Sequence, residues 1–185
     1  MEPLDENILI QQTLKGDVKS FEEIVSRYNM MVYTLAYRVL KNREESEEIA
    51  QDVFLKVYQS LNGFNMKSKL STWIYRITYN LSINKFKSQK RKIVTTEIDR
   101  YAEFSATVLP DAHNNAVEAE KQKMVNDSIF KLPETDRIII TLYYYEDISV
   151  KEIAKIINLS AQNVKVKLYR SRQKLFKDLN NKINY

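Results

Sequence analysis

Apolar residues recur along this chain at intervals of three and four, with polar and charged positions between them. That spacing gathers the apolar groups into one stripe of an α-helix. Leu4, Ile8 and Leu9 predict a short helix ending near Gly16. Phe21, Ile24, Val25 and Tyr28 open a second, which Val32, Leu35, Ala36 and Leu40 continue to a polar break at 41–44. Ile49, Val53, Val57 and Leu61 then recur every four residues with Phe54 beside them, until Gly63 and Asn65 stop the helix. After a basic loop, Leu70, Trp73, Ile74, Ile77 and Leu81 line the buried side of a helix from about Ser71 to Phe86. Arg76, Asn80, Asn84 and Lys87 fall on another side of it, free to bind.

A second set of stripes begins near Ala116. Val117, Lys121, Val125 and Ile129 mark a helix that gives way at Leu132 and Pro133, and Ile138, Ile139, Leu142 and Tyr143 make the next. Ser149 followed by Glu152 is a capping box, which satisfies two unpaired amide donors at a helix start. Val150, Ile153, Ala154 and Ile157 point inward from that short helix. A turn at 158–160 leads to a last helix from Ala161 to about Leu179, with Val164, Leu168, Ser171 and Leu175 inside. A short helix, a turn and a longer helix in this order predict a helix-turn-helix with a strongly basic second member.

The chain is therefore read as all-α, in two small helical domains, 1–92 and 116–185. They are joined by 93–115, where polar and turn-forming residues replace the periodic pattern. Charge follows the same division. Residues 1–92 sum to +4, 93–130 to −4 and 131–185 to +5. From Val53 to Lys92 there are nine Lys or Arg and no acid, with Trp73, Tyr75, Tyr79 and Phe86 interleaved. From Ala161 to Lys177 six cations again lack any acidic neighbour. Solvated helices usually mix signs, so two acid-free runs ask for a polyanion.

Composition removes several kinds of chemistry. The chain has no cysteine, which excludes disulfides, thiolate metal clusters and thiol nucleophiles. One histidine, His113, excludes a His-rich metal centre, and two glycines exclude a glycine-rich phosphate loop. No apolar run has bilayer length and the acidic start does not read as a signal peptide, so a soluble cytoplasmic protein without membrane insertion is expected. No nucleophile has a motif around it. The residues predict a two-site nucleic-acid binder, not an enzyme, with no catalytic or metal site and no cofactor.

Within the basic loop and helix, Lys67, Lys69, Arg76 and Lys85 are placed to hold a backbone while aromatic faces stack on unpaired bases. Trp73 and Tyr79 fit a core position equally well by spacing; Tyr75 and Arg76, off the stripe, are expected to be exposed. On the last helix, Gln162, Asn163 and Lys165 would reach base edges in a major groove, with Lys167, Arg170 and Lys174 at phosphates. Glu44, Glu45, Glu47, Glu48 and Asp52 stand on the first turns of their helix, where acids favour the peptide dipoles. A protein-docking face suits them better than a metal.

Three segments carry a family resemblance. They are Glu47-Glu48-Ile49-Ala50-Gln51-Asp52-Val53-Phe54-Leu55-Lys56-Val57-Tyr58; then Phe64 with Lys69-Leu70-Ser71-Thr72-Trp73-Ile74-Tyr75-Arg76-Ile77-Thr78-Tyr79-Asn80; then Leu132-Pro133-Glu134-Thr135-Asp136-Arg137 with the 149–154 and 164–175 segments. In this order they resemble regions 2 and 4 of a bacterial RNA polymerase sigma factor of the extracytoplasmic-function type, group 4 of the sigma-70 family. The resemblance covers nearly all of the chain outside the linker.

It implies that Glu48, Gln51, Asp52 and Leu55 dock on the clamp helices of the largest polymerase subunit, with the second domain near the flap region. It implies that Phe64, Lys67, Lys69, Ser71, Tyr75, Arg76 and Asn80 capture the −10 element as its strands separate, the loop holding a flipped base. Gln162, Asn163, Lys165, Lys167, Arg170 and Lys174 would read the −35 element as duplex. It further implies control by a separate anti-sigma protein, commonly anchored in the membrane. Two departures stand out: Glu146-Asp147-Ile148 replaces a turn that often holds glycine, and Arg170-Ser171-Arg172 replaces Arg-Ala-Arg. The rival reading is a dimeric helix-turn-helix regulator that never joins a polymerase.

Overall fold

The computed structural model describes the backbone of residues 5–93 and 116–183, and the side chains of 5–89 and 120–182. Among the described residues eight α-helices follow one another: α1 Glu6–Leu14, α2 Val18–Leu40, α3 Arg43–Ser60, α4 Leu70–Ile93, α5 Ala116–Phe130, α6 Glu134–Tyr144, α7 Val150–Ile157 and α8 Ala161–Ile183. A single 3-10 turn at Leu61–Gly63 ends α3. The proposed linker at 93–115 lies outside the described residues except for Ile93, which belongs to α4; His113 lies outside them too.

Local chemistry explains the helix starts. Asp5, Asp17 and Asn42 each accept a bond from a backbone amide of the first turn, at Asn7, Ser20 and Glu45. Such caps contribute about 1 kcal/mol each. Glu44 and Glu45 stand in the first turn of α3, favourably placed on its positive end. The predicted capping box at Ser149 and Glu152 is present in both directions and starts α7. Its carboxylate is held below the usual range by the Ser149 hydroxyl. Lys41 and Asn158 end α2 and α7 in the left-handed conformation.

Two helical bundles result. In the first, α2, α3 and α4 pack mutually and α1 lies on α2. Ile24, Val32, Leu35, Val39, Val53, Val57, Leu70 and Ile74 are buried there. In the second, α6 and α7 pack on α8, with α5 alongside. Ile138, Ile139, Leu142, Ile153, Val164 and Leu168 form its interior. Each such side chain withdrawn from water stabilises by about 1.5–3 kcal/mol. Thr78 and Thr141 are buried without penalty, because each hydroxyl donates to the carbonyl four residues back, Ile74 and Arg137.

The bundles are in contact through α4 against α7 and α2 against α6. Among the described residues no helix is long and apolar enough to cross a membrane.

Candidate nucleic-acid interface

The loop between α3 and α4 frames a cavity of about 360 Å³. Phe64 stands at one wall with its ring centroid 5.1 Å from that of Trp73, tilted by 39°. This resolves the two readings of Trp73: it is half-buried and packs the loop onto α4. Met66 takes a positive φ of 55°, which reverses the chain so that Lys67 and Lys69 lie at the cavity rim. The Lys67 amide donates to Asn65 Oδ1 at 3.2 Å and fixes that reversal. Buried Leu70 and Ile10 lie beneath the cavity, whose exposed lining is mostly polar.

Glu6, Asn7 and Ile10 of α1 complete the cavity. No pattern in the sequence pointed to them as site residues, since they lie far along the chain from the loop. Tyr28 of α2 donates its hydroxyl to the Glu6 carboxylate and so ties α1 in place. Burial and that bond push the Tyr28 phenol well above its ordinary range.

Along α4 the separation of faces is as expected for Arg76, Asn80, Asn84 and Lys87, all exposed, while Ser71 is half-buried. Tyr75 corrects the expectation of an exposed contact: it is only 2% exposed. The α6–α7 turn covers it, and its phenol faces the Glu146 carboxylate without completing a hydrogen bond of good geometry. Burial, then Glu146, push its phenol above the ordinary range, so it stays protonated. The sequence could not show this, because the covering residues come from the other bundle.

Lys85, placed with the backbone-holding cations, is instead paired with Glu48 of α3 at 2.8 Å. Gln89 bonds to Glu45 beside it. The tail of α4 thus lies on the acidic face of α3. Gln51, Asp52 and Leu55 remain open on that face, and Leu55 is 57% exposed, a large apolar group with no core role. Tyr58, one turn on, is exposed as well and meets Phe21 edge-on at 4.9 Å.

In the second bundle Gln162, Asn163, Lys165, Arg170 and Lys174 are exposed on α8. The Asn163 amide donates to Ser160 Oγ at 3.1 Å, which orders the amino end of the helix. Lys167 departs from its expected role at a phosphate: its ammonium sits 2.8 Å from the buried Asp136 carboxylate of α6. The pair locks α8 against α6 in the free chain. Tyr169 and Phe176 are exposed aromatics that the sequence reading passed over. Their positions off the Val164–Leu168–Ser171 stripe were the available signal. Ser171, standing where the resembling family commonly has alanine, is fully buried with no partner for its hydroxyl. At the turn before α7, Asp147 adopts φ of 49°, the left-handed conformation for which glycine is the easier residue.

The seam between the bundles centres on Phe130. Arg38, Lys41 and Arg137 all lie over its ring, at 5.1, 5.7 and 5.5 Å from the centroid. Arg38 donates to Asn126 Oδ1 at 2.8 Å and Lys41 to the Phe130 carbonyl at 2.9 Å. Burial lowers the proton affinity of both guanidinium groups, that of Arg137 to about 10. Thr72 reaches Glu152 at 3.4 Å, linking α4 to α7. These contacts hold the basic faces of α4 and α8 on one compact body.

Comparison with known proteins follows the same division. A family model described as Sigma-70 region 2 matches residues 24–92, and one described as Sigma-70, region 4 matches 124–175. The ECF RNA polymerase sigma factor SigW of Bacillus subtilis is 35% identical over 178 residues, 92% of this chain and 94% of its own. An ECF RNA polymerase sigma-E factor of Haemophilus influenzae is 31% identical over 180 residues, 93% of this chain and 94% of its own. The sigma factor RpoE of Bartonella quintana, solved with the anti-sigma factor NepR, shares the fold at a TM-score of 0.70, over 88% of this chain and 98% of that one at 18% identity. With both regions matched in order and full-length relatives above 30% identity, this chain belongs to the ECF RNA polymerase sigma factors of the sigma-70 family.

Proposed function

We propose that the chain is a sigma subunit that joins a bacterial RNA polymerase core in the cytoplasm and directs it to promoters, the first domain, 1–92, engaging the −10 element and the second, 116–185, the −35 element. The observation that supports this is the pairing of exposed cations on separate bundles, Arg76 and Lys87 on α4 and Lys165, Arg170 and Lys174 on α8, with a cavity beside the first set. A nucleotide base and its phosphate are held by an aromatic face with cations beside it, and the α3–α4 loop offers Phe64 together with Lys67 and Lys69. Exposed Leu55 with Gln51 and Asp52 is suited to a protein partner, which the reading assigns to the clamp helices of the largest subunit. Glu48 joins that surface once Lys85 releases it. The flap region would receive the second domain.

Strand separation costs a few kcal/mol per unstacked step and must be offset by capture of the exposed bases. Phe64, Lys67, Lys69, Ser71, Arg76 and Asn80 are the residues assigned to that capture. Elements whose names set them about 25 base pairs apart are separated by ~85 Å of duplex, at 3.4 Å per pair. A compact body of this length measures only ~40 Å across. The bundles therefore part when the chain engages a promoter, and the segment 93–115 spans them. Tyr75 becomes available to DNA only in that open form. The seam is also where a separate anti-sigma protein, free or membrane-anchored, would act on both domains together.

The deciding experiment mixes the chain with core polymerase and a defined promoter template. Transcripts from one start site that depend on the chain support the reading. Binding to duplex without such transcripts supports the dimeric helix-turn-helix regulator instead. A second measurement addresses α8. Lys165→Ala and Arg170→Ala are each expected to weaken binding to −35 duplex, and a lost phosphate contact lowers the slope of log affinity against log salt by about one. A residue whose replacement leaves both affinity and slope unchanged does not touch DNA.

A further inference from the structure

The turn between α6 and α7, where Glu146-Asp147-Ile148 replaces a sequence that often holds glycine, closes a second cleft of about 120 Å³ between the two bundles. We infer that this cleft receives the guanidinium of an arginine side chain presented by a partner protein, and that filling it holds the bundles together. The site itself stands apart from the sigma function; only its consequence for DNA rests on that reading.

Charge points to a cation. Glu146 and Asp147 of the turn and Glu152 of α7 line the cleft, and Lys69 borders it from the first bundle. Three carboxylates against one ammonium leave two negative charges in surplus, in a chain whose net charge is +5. Glu152 is already attended by Thr72 at 3.4 Å and by the field of Lys69. Among the described residues neither Glu146 nor Asp147 has an ion-pair partner. Glu146 is half-buried, so its charge is partly withdrawn from water without compensation.

Tyr75 supplies an independent sign. It borders the cleft at 2% exposure, and among the described residues its hydroxyl has no hydrogen-bond partner. A buried hydroxyl left unpaired is costly and marks a polar site that is incomplete. An N–H donor entering the cleft completes it: the phenol oxygen accepts from that donor, and its own proton turns to Glu146.

Size and geometry choose the cation. At ~30 Å³ per water the cleft has room for about four non-hydrogen atoms, the number in a guanidinium. Among the described residues no three carboxylates converge on a point that could hold a metal ion. A guanidinium sends five N–H donors outward in one plane, so it serves acceptors that lie apart, and it is less strongly hydrated than an ammonium. Only a head group fits, so its stem must lead out past exposed Asp147 and Lys69. Met30 and Tyr145, each next in sequence to a lining residue, are exposed at 50% and 46% and offer apolar ground to the protein that carries the arginine.

Both bundles contribute walls, so the cleft exists only while they are closed. A group bound there favours the closed form by its differential affinity. Tyr75 then stays covered, which on the sigma reading delays engagement of the −10 element.

Amide resonances of the isotope-labelled full chain are followed as N-acetyl-arginine amide is added, with N-acetyl-citrulline amide, of the same shape without the charge, as control at equal ionic strength. Saturable shifts at Thr72, Asp147 and Ile148 are expected with the arginine probe, and about tenfold weaker binding of the citrulline probe, the scale of one charge-assisted contact. Glu146→Gln lowers the arginine probe's affinity about tenfold, and Tyr75→Phe, which keeps the packed ring, about threefold. Phe130→Ala loosens the seam without touching the cleft lining, and it weakens binding too. Equal affinity for the two probes, or shifts that do not saturate, overturn the inference. Undiminished binding to Glu146→Gln or to Phe130→Ala does so as well, and tighter binding of spermidine transfers the cleft from a protein side chain to a free polyamine. Absence of promoter-directed transcription leaves these shifts in place, so loss of the sigma function and loss of the site are told apart.

Discussion

Replacing Ile74 by alanine is expected to destabilise the chain by about 2–5 kcal/mol. Ile74 is wholly buried in the first turns of α4, and its carbonyl also receives the Thr78 hydroxyl. Truncation removes transfer energy and leaves a void that the surrounding Leu, Ile and Val side chains fill only in part. The consequence reaches the cavity, because Leu70 and Trp73 lie on the same helix within one turn and shape its loop wall. Urea unfolding followed by the fluorescence of Trp73, the sole tryptophan, reads both events at once. Arg76→Ala, two residues on and exposed, should change stability by no more than about 0.5 kcal/mol. Equal effects of the two substitutions would show that the packing assigned to α4 is wrong.

Phe130→Ala is the second large effect, and it concerns the seam between the bundles. Arg38 of α2 and Lys41 just past its end lie over this ring from the other bundle, and Tyr37 meets it edge-on at 6.0 Å. Cation–π contacts contribute about 0.5–2 kcal/mol each and an aromatic pair about 0.5–1.5. Their joint loss is about 2–5 kcal/mol, enough to move a closed chain largely to separated bundles. The chain contains no cysteine, so Glu22→Cys with Gln173→Cys gives two label sites, both at exposed positions. The label separation is expected to lengthen in Phe130→Ala and, to a smaller extent, in Asn126→Ala, which deletes only the bond from Arg38.

Salt gives that experiment a sign of its own. Residues 1–92 and 131–185 both carry net positive charge, +4 and +5. Among the described residues the buried guanidinium groups of the seam bond to neutral acceptors, Arg38 to Asn126 and Arg137 to the Phe130 carbonyl. Added salt screens repulsion between the halves, so the closed form is expected to gain population as ionic strength rises. A seam held by surface ion pairs would open instead. Unchanged label separation in Phe130→Ala, at any salt, would remove the ring from the account of closure.

Much of the fold was legible before any coordinates, and the reason is locality. The stripes at Ile49, Val53 and Val57, or Val164, Leu168 and Ser171, declare a buried helix face because residues three and four apart share it in every α-helix. The Ser149–Glu152 cap lies within three residues and is legible in the same way. Exposure of Arg76, Asn80, Lys165 and Arg170 followed from their placement off those stripes.

Neighbours distant in the chain were not legible in the same way. Tyr75 is off the stripe of its own helix and is buried all the same, since the α6–α7 turn closes over it. Lys85 and Lys167 read as free cations, yet Glu48 and Asp136 hold them. A lysine declares its charge in the sequence; its partner is chosen by which helices pack together.

By itself, then, the sequence determined the helices, their buried faces, the two cationic runs and the family. Those properties are set by side-chain spacing and composition within a few turns. Tertiary structure alone decided that α1 walls the loop cavity, that Phe130 gathers cations from both bundles, and which charges remain open to a partner. These depend on the docking of helices far apart along the chain, where a few ångströms separate a spent charge from an available one.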